Sequence, residues 1–452
     1  MNKSVNDIIN ALGGTGNLAS LLGVKPSAVS NYRKKGFPAR LHLKIISLCE
    51  EYSIPIDNVF FDNEKIPFKS IKSKSSEVLT KTSHSILNNL TSDGYELIDP
   101  PVLVSADKVL DRLGEAIADR LYIFSQQDGI RLCLRPDLTI PTCLYYLDQG
   151  LSGEKRLFSY FGKVFQFYGE ESNEPVEYTQ TGIESIGDSD KINADIEVFV
   201  KIQNALTDEG IKNLNTYFGD VSLFRTFIKV LDIPDLWKNK LLEKFWNENE
   251  FRTLLEEISK NQKVSDDLSQ RIFSLDQKSA LELVRGTINA FDTNSYAGRS
   301  IEEITDRLRK KGEAFSLKPL SKNTKDLIKD FLSISDKPLQ ALEKLRKLCL
   351  TLDKSLIDKI DETSTRFEII QKSGVSLKNT ILTPEKGRDV EYYSGFLFDF
   401  VWKNNNESLY IGGGGRYDNL IKSLGSENKI PAVGAALNIK RIERLSQIER
   451  LR

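Results

Sequence analysis

Between Asn63 and Ser76 the chain reads NEKIPFKSIKSKSS, a Lys- and Ser-rich stretch without apolar periodicity that has nothing to bury in a hydrophobic core. It reads as a linker, so the 452 residues divide into an N-terminal module, residues 1–62, and a body, residues 77–452. The charge changes at the same place. Residues 1–75 carry eleven basic and six acidic side chains while the whole chain has a net charge of −1, so a basic module precedes an acidic body. That balance excludes a polyanion-binding character for the whole chain. Modules of this basic kind often meet nucleic acid. With 40% hydrophobic residues, both parts are expected to bury cores, and global disorder is excluded.

In the module, Val5, Ile8, Ile9 and Leu12 recur at helical spacing and stop at Gly13-Gly14; a second helix begins near Thr15 and carries Leu18, Leu21 and Leu22. Gly23 then tolerates a positive φ, and Lys25-Pro26-Ser27 opens a third helix with proline in its first turn. That helix, Ser27 to Lys35, places Val29 inward. It leaves Lys25, Ser27, Ala28, Asn31, Tyr32 and Lys34 outward, side chains able to reach base edges and phosphates. Leu41, Leu43, Ile45, Ile46 and Leu48 predict a further helix that closes the small core. The segment LASLLGVKPSAVSNYRKKG resembles the helix-turn-helix DNA-binding domains of the phage repressor and Cro class. The resemblance implies DNA binding, by a dimer, since a single copy binds weakly. A helical protein-docking domain with the same core is the alternative, because this scaffold does not by itself impose DNA binding.

Four dispersed cysteines (Cys49, Cys133, Cys143, Cys349) and two histidines (His42, His84) offer no CxxC or HxxxH spacing, so no metal site is expected. No apolar run reaches roughly 18 residues and the N-terminus lacks an apolar signal core, which predicts a cytoplasmic protein with reduced thiols and no membrane contact. The body opens with an amphipathic helix (Val78, Leu79, Ile86, Leu87, Leu90) and runs through Gly94 to Ile98 into an apolar PPVLV strand. LYIFSQQDG and IRLCLRPDLTIP follow as strand-like runs about a Gln-Asp-Gly turn, which together predict an antiparallel sheet with a helix packed on it. At the end of that buried pattern Arg135 is expected to be solvated or paired, whereas Asp137 can be aimed into a pocket. GGGGRYD lacks the Lys-Ser/Thr of a phosphate loop, so its glycines read as turn and close-packing positions, and no nucleotide cofactor is expected. From about Phe224 to Ser373 a run of amphipathic helices predicts an all-α insertion.

The blocks LRPDLT, QTGIE, GRDVEYYSG and GGGGRYD, in this order, resemble the catalytic domain of class II histidyl-tRNA synthetases and of their paralogue, the regulatory subunit of ATP phosphoribosyltransferase, over residues 77–452. The resemblance implies an α+β fold, an antiparallel sheet flanked by helices, that pairs as a homodimer through about Glu77 to Leu103. It also implies a histidine site. Asp137 and Gln180 would hold the α-ammonium and Arg388 the carboxylate. Glu184 and Tyr393 would meet the imidazole nitrogens, with Thr139 and Tyr392 beside them. The activation chemistry is another matter. Where the synthetases place an arginine on the ATP α-phosphate this chain has Gln166, and their next two loop arginines fall on Glu174 and Val176. Losing such preorganised cations removes the stabilisation on which phosphoryl chemistry depends. With Glu170, Glu171, Glu174 and Glu177 the loop would repel ATP. Arg441, in NIKRI, matches the family's third motif but reads as a structural residue able to pair with the sheet's carboxylates. Only 11 residues follow it, so no anticodon-binding domain is expected there.

These features point first to a non-catalytic, histidine-binding regulatory subunit partnered with a short-form ATP phosphoribosyltransferase catalytic subunit, in the first step of histidine synthesis and its feedback control. A histidine-responsive transcription regulator is the alternative. The two are compatible if the module reports histidine to DNA. A histidine-tRNA ligase is disfavoured by Gln166.

Overall fold

The computed structural model describes residues 5–22, 24–35, 37, 41, 44–45, 48–49, 52, 54, 80–113, 118–151, 153–168, 175–260, 267–290, 300–386, 391–404 and 407–450. The chain separates into two compact units, Met1–Val78 and Leu79–Arg452. The linker stretch 63–76 and Val78 and Leu79 of the body's first helix lie outside the described residues.

The first unit contains helices Val5–Ala11, Gly14–Leu22 and Pro26–Lys35. Gly13 and Gly14, both at positive φ, make the first break. Ile8, Ile9, Leu18, Leu22 and Val29 form its core with Ile45 and Cys49. Parts of the expected fourth helix, and Gly23, lie outside the described residues. Two of the side chains expected to face outward do not. Tyr32 is 8% exposed and packs on Phe37, and Ala28 is partly buried against the same core. The helix turns about 100° per residue, so the stripe that holds Val29 also takes in its neighbours three positions on and one before. Lys25, Ser27 and Asn31 are exposed as expected, while the side chain of Lys34 lies outside the described residues. Arg33 donates to Asn10 (2.9 Å), Asn6 and Thr15 (3.3 Å each), which ties the third helix to the first two.

The second unit is built on an eight-stranded sheet in the order β1-β5-β6-β11-β10-β9-β7-β8. Its strands are β1 (Glu96–Ile98), β5 (Arg156–Phe165), β6 (Glu177–Ile186), β7 (Leu214–Asp220), β8 (Thr380–Leu382), β9 (Phe396–Lys403), β10 (Ser408–Arg416) and β11 (Ala432–Asn438). The sheet is mixed, which corrects the antiparallel expectation: β1 runs parallel to β5 and β8 parallel to β7. Both pairs are joined by long crossovers, which permit parallel pairing, whereas the antiparallel interior includes the direct neighbours β5–β6 and β9–β10. The PPVLV, LYIF and IRLCL runs do not join this sheet. They form a separate three-stranded one, β2 (Leu103–Ser105), β3 (Ile123–Ser125) and β4 (Arg131–Leu134), in the order β2-β4-β3. Leu97 and Leu103, on either side of Pro100-Pro101, thus stand in different sheets, because proline cannot donate to a continuing ladder.

One face of the large sheet is covered by the helix Lys191–Asp208, capped by Asp190, and by the helices Val221–Val230 and Lys354–Lys372. Phe199 packs edge-on to Phe218 and Phe398 at 5.0 Å, at the centre of a continuous aromatic core. Every regular element described between β7 and β8 is a helix, apart from one isolated bridge, Asp336 to Leu382. Among the described residues no helix is long and apolar enough to cross a membrane. None of the four cysteines is in a disulfide.

Candidate functional site

Side chains alternate across a strand, so QTGIE on β6 places Gln180, Gly182 and Glu184 on one face. Opposite Glu184 stands Gly434 of β11, and opposite Gly182 stand Tyr160 of β5 and Ala436 of β11. Glycine is needed at both positions. A Cβ on Gly434 would collide with the Glu184 carboxylate, and one on Gly182 with the Tyr160 hydroxyl and a β11 carbonyl. The same crowding explains the four glycines 412–415. They lie within strand β10, where a Cβ would strike a neighbouring strand's backbone or the Asp399 carboxylate, so their role is close packing and not a turn.

These strands form one wall of a cavity of about 620 Å³. The LRPDLT segment supplies a second wall. Arg135, 3% exposed, donates from Nε to the Lys163 carbonyl oxygen (2.7 Å) and from Nη1 to that of Pro100. It is also paired, loosely, with exposed Asp99 at 3.9 Å, while the backbone carbonyls satisfy it closely and lock β4 against β5. Asp137 follows at the cavity wall, with Oδ1 accepting from the Ile140 amide (3.1 Å) at the start of the helix Thr139–Asp148. Burial pushes its carboxyl up to about 6 against the backbone donors that oppose the shift.

Glu184 is fully buried. Its Oε1 accepts from Thr139 (2.8 Å) and Tyr160 (3.0 Å), and its Oε2 from Tyr417. Burial pushes this carboxyl up to about 7, opposed by the three hydroxyls and reinforced by Asp137. The carboxylate stands behind the wall formed by Thr139, Tyr417 and Gly434, so it orients hydroxyls and is not itself a cavity-lining group. Tyr160 and Tyr417 were not among the residues expected from sequence. Gln180 lines the cavity, with Oε1 accepting from the Leu138 amide (2.9 Å); because that amide can only donate, the atom facing it is oxygen, and the Gln180 NH2 group keeps its donors. Tyr392 and Tyr393 also line the cavity, 5.1 Å apart, and Tyr392 packs edge-on to Tyr417 at 5.9 Å. Of the seven expected histidine-site residues, Asp137, Thr139, Gln180, Tyr392 and Tyr393 line one cavity, Glu184 backs it, and Arg388 lies outside the described residues.

Position 166 stands in the cavity wall next to the LRPDLT segment. Gln166 donates from Nε2 to the Pro136 carbonyl oxygen (2.8 Å) and accepts from the Tyr168 hydroxyl (2.8 Å), so a neutral amide already committed at both ends stands at this wall. Arg441 lines the cavity and donates to the Tyr410 carbonyl oxygen (2.7 Å). Arg120, stacked 5.1 Å over the Tyr168 ring, lines the same cavity, a residue for which the sequence carried no pattern. Glu170 and Glu174 of the acidic loop lie outside the described residues. Among the described residues no group of side chains is arranged to hold a metal ion.

Comparison with known proteins agrees with this architecture. Residues 68–315 and 279–442 match the profile of the histidyl-tRNA synthetase family. The ATP phosphoribosyltransferase regulatory subunits of Rhizobium rhizogenes and Agrobacterium fabrum are each 30% identical to the chain, over 76% of its length and 92% of theirs. Among solved structures, a Bacillus halodurans protein described as an ATP phosphoribosyltransferase regulatory subunit/histidyl-tRNA synthetase superposes with a TM-score of 0.54 at 18% identity, over 80% of this chain and 78% of that one. The histidyl-tRNA synthetase from Nostoc gives 0.51 at 17% identity, over 81% and 71%. These two likenesses establish the fold.

Glu184 generates a pH prediction. Its carboxyl binds a proton more tightly in the folded than in the unfolded chain, so its contribution is most favourable below the ordinary carboxyl range and is lost as pH rises toward about 7. Glu184→Gln removes that titration. Thermal unfolding between about pH 5 and pH 8 is expected to show a shallower decline for the variant, with a relative gain on the order of 3 kcal/mol at the upper end. Identical pH profiles for the two proteins would contradict the buried-carboxyl reading.

Proposed function

The chain belongs, with the ATP phosphoribosyltransferase regulatory subunits, to the histidyl-tRNA synthetase family, and from this we propose that it is itself a non-catalytic regulatory subunit of ATP phosphoribosyltransferase that binds histidine in the cavity described above. The carrying observation is the contrast within that cavity. Its Asp137 end is assembled from polar groups suited to a small zwitterion, while the wall beside it has Gln166 where adenylate chemistry needs a cation. In this reading Asp137 takes the α-ammonium and the free donors of Gln180 meet the ligand's acceptors. Tyr392 and Tyr393 flank the imidazole. Glu184 fixes the hydroxyls of Thr139 and Tyr417, and Arg388 is assigned the carboxylate from its sequence position. Catalysis resides in a short-form catalytic subunit in the cytoplasm. Histidine, by binding one conformation of the complex better than the other, shifts it toward inhibition. Exposed Leu97, Val102, Leu103, Ile123, Phe124 and Ile130, on and around β1 and the small sheet, support pairing of two copies there.

A second reading, which can coexist with the first, concerns the N-terminal unit. Lys25, Ser27 and Asn31 are exposed on or just before the helix Pro26–Lys35, which supports DNA recognition by that helix and hence a histidine-responsive regulatory role. Tyr32 and Ala28 drop out of the contact set, and Arg33 is engaged within the module.

Histidine is expected to raise the melting temperature of the whole chain in a saturable way, since only the folded state presents these groups together. Asp137→Ala is expected to weaken the apparent affinity at least about tenfold by leaving the ammonium unpaired. An equal shift in that variant would place the ligand elsewhere. For the module, gel-shift titration against the chain's own upstream DNA is expected to show competitor-resistant binding, with Asn31→Ala relaxing preference at one base position by about 1–3 kcal/mol. Binding that unrelated competitor DNA abolishes would assign the module to protein docking.

A further inference from the structure

A second pocket of the body, about 250 Å³, is lined by Lys191, Arg225, Asn419 and Lys429 around Ser394 and Asp418. Its one carboxylate is already committed. Asp418 Oδ1 accepts from Arg416 (2.8 Å) and from the Ala432 amide (3.1 Å), and Oδ2 accepts from Lys191 (2.6 Å). Ser394 is equally engaged, accepting from the Asp418 amide (2.9 Å) and donating to the Arg416 carbonyl oxygen (3.3 Å). Arg225, on the helix Val221–Val230, is different. It is half-buried, with its guanidinium 6.0 Å from the Trp246 ring centroid, and among the described residues it makes no ion pair or hydrogen bond. Burial alone displaces its pKa downward, with no acid to offset it. Neither Lys429, exposed at the rim, nor the Asn419 amide has a partner among the described residues.

A partly buried guanidinium without an anion is a costly arrangement, and proteins resolve it by pairing. Among the described residues the pocket's one carboxylate, Asp418, is committed elsewhere, while a lysine and an amide converge on the same small space. We propose that this pocket binds a phosphate-group anion, held by Arg225 and Lys429 with the Asn419 amide as a further donor. Arginine's planar fork matches phosphate oxygens in pairs, and the lysine adds a point charge. A volume below roughly 300 Å³ suits phosphate, pyrophosphate or a small phosphate ester and excludes a whole nucleotide. The site adjoins the larger cavity without being part of it: Trp246, over which Arg225 stands, lines the large cavity, and Ser394 follows Tyr393 directly. This inference does not depend on the histidine reading.

Thermal unfolding of the full chain with inorganic phosphate, pyrophosphate or ribose 5-phosphate, at ionic strength matched with sodium chloride, tests it. A saturable rise is expected with at least one of the three, and the tightest binder identifies the source. Arg225→Gln is expected to weaken it at least about tenfold and Lys429→Gln a few-fold, with the response to histidine unchanged in both. Should Arg225→Gln fail to fold, the exposed Lys429 carries the same test. Arg441→Gln, in the large cavity, is expected to leave anion affinity intact. No saturable response to any of the three, affinity retained in both pocket variants, or affinity lost only in Arg441→Gln would each overturn the proposal.

Discussion

Asp195 lies at the middle of this body and is completely buried between two arginines. Its Oδ2 accepts from Arg366 Nε (2.9 Å) and its Oδ1 from Arg416 Nε (2.8 Å), with Arg416 Nη2 ion-paired at 2.7 Å. The three residues come from the helix Lys191–Asp208, the helix Lys354–Lys372 and strand β10, so one carboxylate ties the helical stretch to the sheet. Arg416 also donates to Asp418 and to the Lys191 carbonyl oxygen, both at 2.8 Å. Buried ions of this kind rarely add stability over an apolar packing, but they tolerate no misregister, because any slip leaves an uncompensated charge in the interior. The position of Tyr417, next in sequence to Arg416, depends on that register.

From Tyr417 the constraint passes to the site. Its hydroxyl, with those of Thr139 and Tyr160, holds Glu184, and Gly434 leaves the carboxylate room. Such a network is rigid because every hydroxyl is already oriented. The cavity wall at Glu184 is therefore preformed. The cavity is poorly made for phosphoryl transfer, which needs cations preorganised around the transferring group, and the wall position that would hold one carries a neutral amide committed at both ends. Arg120 and Arg441 also line the cavity.

What could be read from the chain followed periodicity and order. The alternation in QTGIE puts Gln180 and Glu184 on one face of a strand, and the sequence of blocks identifies the fold family. Features set by neighbours across the sheet could not be read. A run of four glycines reads as turn and close packing alike until the adjoining strands are in place to make a Cβ collide. Tyr160 stands between Phe158 and Phe161 and Tyr417 between Arg416 and Asp418, and only their meeting at Glu184 shows what their hydroxyls do. The separate three-stranded sheet and the parallel edges depend on long-range connections that local pattern does not encode. Tyr32 shows the reverse limit, since a short helix offers too few apolar residues to mark its inner stripe and an aromatic ring serves either face.

The central claim is that a body with this histidine-synthetase architecture regulates an enzyme rather than performing adenylation. The most direct measurement is the turnover of a short-form ATP phosphoribosyltransferase catalytic subunit, followed with and without the full chain and across a histidine titration. The account predicts that turnover rises when the chain is added and that histidine suppresses the increase. Turnover and histidine sensitivity both unchanged by the chain would contradict it.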